Sequence, residues 1–164
     1  APMVNSQKEA EALVRATKYP PVGGRSWGGY GMVQAAGISA AEYLAQANRL
    51  TLAFAMIETK AALDAVEEIA AVPGLDGLFV GPSDLSIALS NGAELNRMSD
   101  ATLEAMGRIA AACRKNKLVA GAFAGTADSI KAYKALGYMF MAAAVDVDLM
   151  RAGAVALAAE VKSG

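Results

Sequence analysis

Apolar positions along the chain follow two periods, and the two alternate. Ser6 followed by Glu9 has the form of a capping box for a helix over about residues 7–17, with Ala10, Leu13 and Val14 on one face. Tyr19-Pro20-Pro21 ends that helix. Residues 22–37 hold six glycines and the lone tryptophan, a composition that predicts a long loop. Ser39 and Glu42 repeat the box for a helix reaching about Arg49. Residues 52–57 are a continuous apolar run, the pattern of a strand buried on both faces. A helix over about 60–70 follows, with Leu63, Val66 and Ile69 as its inner stripe, and Pro73-Gly74 breaks it. The pattern then predicts strands at 78–80, 118–123 and 138–142. Helices are predicted at about 101–116, from the cap Thr126 to Leu136, and over about 148–161. Pro2-Met3-Val4 reads as the end of a further strand running into the first helix.

Strand and helix alternate at least four times, which predicts a parallel sheet covered by helices, an α/β fold. No linker or charge-rich boundary divides the chain, so residues 1–164 are expected to form one domain. Two parallel architectures compete. A doubly wound sheet would carry a glycine phosphate loop after its first strand. Gly28-Gly29-Tyr30-Gly31 instead follows a helix and matches neither phosphate-binding glycine pattern. A (β/α)8 TIM-type barrel suits the strands but needs about 250 residues. Four strands and a stub make an incomplete barrel of about five units.

Composition narrows the chemistry. Fifteen basic and sixteen acidic residues give a net charge of −1, which argues against nucleic-acid binding. No apolar run approaches the roughly 18–20 residues that cross a bilayer, so no membrane partner is expected. Residues 1–4 are too short for a signal core, and Lys8, Glu9 and Glu11 follow at once. The single Cys113 permits no internal disulfide and fits a reducing, cytoplasmic setting. The eight methionines read as core filler. There is no histidine, so the commonest general base and the commonest nitrogen ligand are both absent.

Two carboxylates stand out. Glu58 in Met56-Ile57-Glu58-Thr59 and Asp84 in Gly81-Pro82-Ser83-Asp84 each follow the C-terminal end of an apolar strand, one strand–helix–strand unit apart. Neighbouring parallel strands lie roughly 4.8 Å apart, which would bring both groups to the face where such folds hold their active sites. Two carboxylates that close need a shared proton or a cation between them. With no histidine and a single cysteine, the cation would be a hard one such as Mg²⁺ or Mn²⁺. The plainer alternative makes Glu58 and Asp84 helix caps or ion-pair partners, Thr59 being a sufficient cap by itself. The turn at Gly81-Pro82-Ser83-Asp84, entering a short helix at Leu85, would also expose backbone N–H groups to an anion.

These residues resemble a known family. Residues 55–60 (Ala-Met-Ile-Glu-Thr-Lys) and 72–86, from Val72-Pro73-Gly74 through Gly81-Pro82-Ser83-Asp84-Leu85-Ser86, are similar to the HpcH/HpaI aldolase family. Pro2-Met3-Val4, residues 16–21 with Gly24-Arg25, Tyr43-Leu44 with Ala47-Asn48, and Val145-Asp146 fall in matching order. The resemblance implies a (β/α)8 barrel and a divalent-metal-dependent lyase. Such an enzyme cleaves 4-hydroxy-2-oxo acids to pyruvate and an aldehyde, or joins them. It implies Glu58 and Asp84 as metal ligands. Gly81, Pro82, Ser83 and Asp84 would form the turn that binds the carboxylate of a pyruvate-like 2-oxo acid.

The chain also departs from that pattern. The family's first strands, with a catalytic histidine, its aspartate partner and a substrate-binding arginine, have no counterpart, so no acid–base residue is assigned. Met56 stands where some members have a glutamine that arranges the metal's waters. The expectation is therefore the C-terminal part of an aldolase barrel, homo-oligomeric or associated with a missing N-terminal segment. A related CoA-thioester lyase and a catalytically silent binding module are the alternatives. Arg25, in the glycine-rich loop, and Met56 are secondary candidates, although Arg25 reads more readily as a solvated surface residue of an exposed loop. Asp146 reads as a helix cap, and Cys113 as a packing residue within a helix.

Overall fold

The computed structural model describes residues 1–163 as four parallel strands wrapped on one side by helices. The strands are β1 (Phe54–Ile57), β2 (Gly77–Val80), β3 (Val119–Phe123) and β4 (Phe140–Ala142), hydrogen-bonded in chain order. A doubly wound sheet requires a reversal of that order, and the described strands show none. Met56 N–H donates to Ala1 C=O at 2.9 Å, and the Ala1 nitrogen donates to Phe54 C=O at 2.7 Å. The residues ahead of the first helix therefore lie alongside β1, as the Pro2–Val4 stub predicts, although the contact is too short to count as a strand.

The sheet curls. Phe54 on β1 and Phe140 on β4 belong to opposite edges, yet their ring centroids are 5.4 Å apart. Three flat strand spacings would separate these strands by roughly 14 Å. Phe79 meets Phe140 as well, at 6.1 Å. Two glycines on this face make room for the rings. A Cβ at Gly77 would lie 2.2 Å from the Phe54 ring, and one at Gly121 would lie 2.9 Å from Phe79.

The convex face carries the main core. Ala55, Ile57, Leu78, Val80, Ala120 and Ala122 are buried beneath helices. These are α4 (Lys60–Asp64), α5 (Val66–Ala70) and α7 (Asp100–Asn116), which supply Leu63, Val66, Ile69, Met106, Ile109 and Cys113. Cys113 is 1% exposed, its thiol lies 3.9 Å from Val119 C=O, and burial pushes that thiol up to about 11. The folded chain is thus expected to resist iodoacetamide at pH 8 and to react only once unfolded. Rapid alkylation of the folded chain, followed by mass spectrometry, would contradict this packing.

Four side-chain caps form as their residues predict. Ser6, Ser39, Thr59 and Thr126 accept from the N–H of Glu9, Glu42, Ala62 and Ser129, and start α1 (Gln7–Thr17), α3 (Ala40–Leu50), α4 and α8 (Ala127–Leu136). Only the Ser39 box closes in both directions, since Glu9 turns instead to Asn5 N–H at 2.6 Å.

Other expectations are corrected. The glycine-rich segment is not all loop: Tyr30–Ala36 form α2, closed by Gly37 at φ +64°. The helix over 60–70 is two short ones that meet at Ala65. Ser99 caps α7, which begins at Asp100, and α6 (Pro82–Leu89) starts at Pro82 rather than Leu85. β1 is not buried on both faces. Phe54 and Met56 stay half-exposed because the described residues place no layer over the concave side. Helix α9 runs from Asp146 to Ser163 with Val147, Leu149, Met150, Val155, Leu157 and Val161 exposed.

The N-terminal end of the sheet is tied by one buried cation. Lys18 is 2% exposed, and its ammonium donates to Asn48 C=O at 2.8 Å, to Thr51 C=O and to Asp76 Oδ2 at 2.7 Å. The same Asp76 oxygen accepts from Ala53 N–H at 2.6 Å, so α1, α3 and the starts of β1 and β2 share one node.

Candidate functional site

Side chains alternate across a strand, so Phe54, Met56 and Glu58 project to the concave side while Ala55 and Ile57 enter the core. Val80 pairs with Ile57 on one side and Ala122 on the other, which places Glu58 and Gly81, just past β1 and β2, in one layer with Phe123 at the end of β3. Asp84 follows one turn into α6. A Cβ at Gly81 would lie 2.7 Å from Glu58 Oε2 and 3.4 Å from Asp84 Oδ2, so both carboxylates converge on a spot that only a missing side chain leaves free.

Glu58 is 5% exposed. Its Oε1 accepts from Met3 N–H at 2.8 Å, which fixes the carboxylate against the segment beside β1. No lysine or arginine pairs with it among the described residues, so a buried negative charge stands without a side-chain cation. Thr59 caps α4 alone, which removes the helix-cap alternative for Glu58. The hydroxyl of Thr59 also donates to Asn5 Oδ1. Asp84 keeps a structural role as well, since it lies in the first turn of α6.

Pro82 at the first position of α6 has no N–H, and the first helical bond is Leu85 N–H to Gly81 C=O at 2.9 Å. The Ser83 and Asp84 N–H groups precede that bond, so neither has a partner within the helix and both are open to an anion at its start. The Ser86 hydroxyl donates to Ser83 C=O at 2.8 Å and accepts from Asn96 N–H at 3.1 Å, which holds this turn in shape.

Arg25 is not brought to this place. Its guanidinium stacks over Tyr19 at 5.0 Å, and Tyr19 is held by Asn48 at the opposite end of the strands. Met56 lies one layer below Glu58, opposite Phe79. Asp146 opens α9 and accepts from Val147 N–H at 2.8 Å. The spacing of residues gives no signal for Met3 or Asn5, because both lie in the irregular segment ahead of α1 and meet Glu58 and Thr59 only through the fold.

A divalent cation suits the pair. Two carboxylates are too few to enclose a metal, and no group of three acidic, histidine or cysteine residues forms among the described residues. A hard cation that retains waters and takes a substrate oxygen needs no more than one or two protein carboxylates.

The profile of the HpcH/HpaI aldolase/citrate lyase family matches residues 1–152. The chain belongs to this family. It is 38% identical over 158 residues to a hydroxypyruvate/pyruvate aldolase of Roseovarius nubinhibens, covering 91% of this chain and 57% of that one. It is 35% identical over 160 residues to a 4-hydroxy-2-oxo-heptane-1,7-dioate aldolase of Klebsiella pneumoniae, covering 96% and 59%. A solved HpcH/HpaI aldolase/citrate lyase family protein from Burkholderia cenocepacia superposes with a TM-score of 0.79 at 34% identity, covering 98% of this chain and 63% of that one. The chain thus spans about three fifths of the length of these family members. Among the described residues, no helix is long and apolar enough to cross a membrane.

Proposed function

We propose that this chain supplies the metal-binding half of a class II 2-oxo-acid aldolase, a carbon–carbon lyase that cleaves 4-hydroxy-2-oxo acids to pyruvate and an aldehyde. The observation that carries the reading is the convergence on Gly81 of buried Glu58, which pairs with no lysine or arginine among the described residues, and the exposed Asp84. In this reading residues 1–164 form one domain, the last five units of a (β/α)8 barrel. The uncovered concave face and exposed α9 are then closed by the remaining units and by further copies of the chain. The lone reduced thiol of Cys113 favours a cytoplasmic setting.

Glu58 and Asp84 hold the cation, Mg²⁺ or Mn²⁺, with Met3 N–H keeping Glu58 turned toward it. When bound, that ion supplies electrophilic polarisation of the 2-oxo group. The Ser83 and Asp84 N–H groups receive the substrate carboxylate at the start of α6, where the helix dipole favours an anion. Phe79 and Phe123 line the concave wall beneath and beside this point and limit water around the reacting carbons. Cleavage also requires a base for the 4-hydroxyl proton. Glu58 and Asp84 are committed to the cation and the chain has no histidine, so that base comes from residues outside it, as does the arginine that the family's first strands bring to the 2-oxo end of the substrate.

Release of pyruvate from 4-hydroxy-2-oxoheptanedioate, followed by reduction to lactate, tests the reading. With Mn²⁺ the chain alone is expected to give no more pyruvate than free Mn²⁺ does. Joined to the histidine-bearing first strands of a relative, it is expected to turn over. Turnover by the chain alone would overturn the division of the site, and none in the joined protein would overturn the aldolase assignment.

A further inference from the structure

Arg97 occupies the crossover between α6 and α7, a segment that no element absorbs. Its guanidinium lies over the Phe123 ring at 5.9 Å from the centroid. Phe123 ends β3 on the concave side, in the layer of Glu58 and Gly81. One terminal nitrogen of Arg97 comes within 3.1 Å of the position a Cβ would take on Gly125, which adopts φ +73° just past β3. The backbone of the same residue is anchored, because Tyr133 O–H donates to Arg97 C=O at 3.2 Å, and Tyr133 is fully buried. Its neighbour Met98 receives the Ser129 hydroxyl at 3.6 Å.

The charge is otherwise unused. No carboxylate pairs with Arg97 among the described residues, and the three ion pairs that form lie elsewhere. A solvated surface arginine needs neither a ring beneath it nor a glycine cleared beside it. Stacking holds one face of the guanidinium and leaves the N–H edge free, the edge that binds a carboxylate with two parallel hydrogen bonds. Gly81, on which the carboxylates converge, lies one strand spacing from Phe123, and the ring contact adds 5.9 Å, on the order of 10 Å in all from the start of α6, with Glu58 on β1 one strand further. A 2-oxo acid of five to seven carbons spans such a gap.

We infer that Arg97 is a specificity-determining residue that binds a distal carboxylate of the substrate, so that the site takes 2-oxo diacids in preference to 2-oxo monoacids. The inference rests on the aldolase reading and deepens it. Phe123 is the platform, and Gly125 clears the space in which the guanidinium lies. A bulkier residue at either position would turn the fork away.

Two probes of equal chain length separate the terms: 2-oxoadipate, with a distal carboxylate, and 2-oxohexanoate, without one. Calorimetric titration of the Mn²⁺-loaded chain is expected to show 2-oxoadipate bound about 10- to 100-fold more tightly, the range for a hydrogen bond to a charged group. Arg97→Gln is expected to erase that preference, and Arg97→Lys to keep part of it, since an ammonium retains the charge but loses the fork. An unchanged melting temperature for both variants shows that the fold survives. Equal binding of the two probes by the unmodified chain, or a preference that survives Arg97→Gln, overturns the role of Arg97 and leaves the aldolase reading standing. Binding of neither probe overturns both.

Discussion

Glu58→Gln is expected to lower the affinity of the chain for Mn²⁺ by more than about 100-fold while leaving the fold intact. Glutamine keeps the shape of glutamate and an oxygen for Met3 N–H, so the segment beside β1 stays in place. What disappears is the buried charge, the one feature of Glu58 that no neighbouring side chain balances. Gly81→Ala tests the same geometry from the other side. Its Cβ would arrive 2.7 Å from Glu58 Oε2 and 3.4 Å from Asp84 Oδ2, so the carboxylates must part. Affinity for Mn²⁺ is expected to fall although no ligand atom has been removed. Calorimetry on both variants reads the effect, and undiminished binding by Glu58→Gln would remove Glu58 from the site.

The largest effect on stability is expected at the opposite end of the strands. Asp76→Ala leaves the Lys18 ammonium buried with two carbonyl partners and no counter-charge, a loss of about 3–5 kcal/mol. It also strips Ala53 N–H of its acceptor. For a chain of this length the melting temperature should fall on the order of 10 °C. The exposed pair Lys115–Glu67, with side chains 72% and 55% exposed, gives the contrast. Glu67→Ala is expected to change stability by less than about 1 kcal/mol. Thermal melts of the two variants side by side check the ranking, and equal losses would contradict it.

Much of this architecture is legible along the chain because it rests on local chemistry. A hydroxyl two or three residues ahead of a free N–H acts within one turn, which is why Ser6, Ser39, Thr59 and Thr126 mark their helices. The strands are legible too, three of them shortened at their starts and β2 beginning one residue earlier, because branched and aromatic residues cluster between breakers. The pair Glu58 and Asp84 is legible as spacing, since one βαβ unit returns the chain to the adjacent strand.

Features that depend on distant neighbours are not legible in this way. The continuous apolar run before Glu58 predicts burial on both faces, but only the convex side meets helices within this chain. The curl of the sheet depends on rings of β1 and β4 meeting across glycines of the strands between them. Helix α2 hides in a glycine-rich segment because a single turn-closing residue, Gly37, outweighs the composition around it. Lys18 and Asp76 are 58 positions apart, and no spacing or period along the chain ties one to the other. Arg97 is placed by a backbone hydrogen bond to Tyr133 and by a ring on another strand, neither of which leaves a periodic trace.

In the proposed aldolase, Glu58, Asp84 and the first turn of α6 form one site for a divalent cation and a 2-oxo acid. Water-proton relaxation of Mn²⁺ in the presence of the chain, titrated with pyruvate, tests it most directly. The expected result is one tightly held Mn²⁺ per chain whose relaxation enhancement falls as pyruvate displaces bound water, with both responses lost in Glu58→Gln. A chain that holds no stoichiometric Mn²⁺, or holds it with no response to pyruvate, would contradict the account.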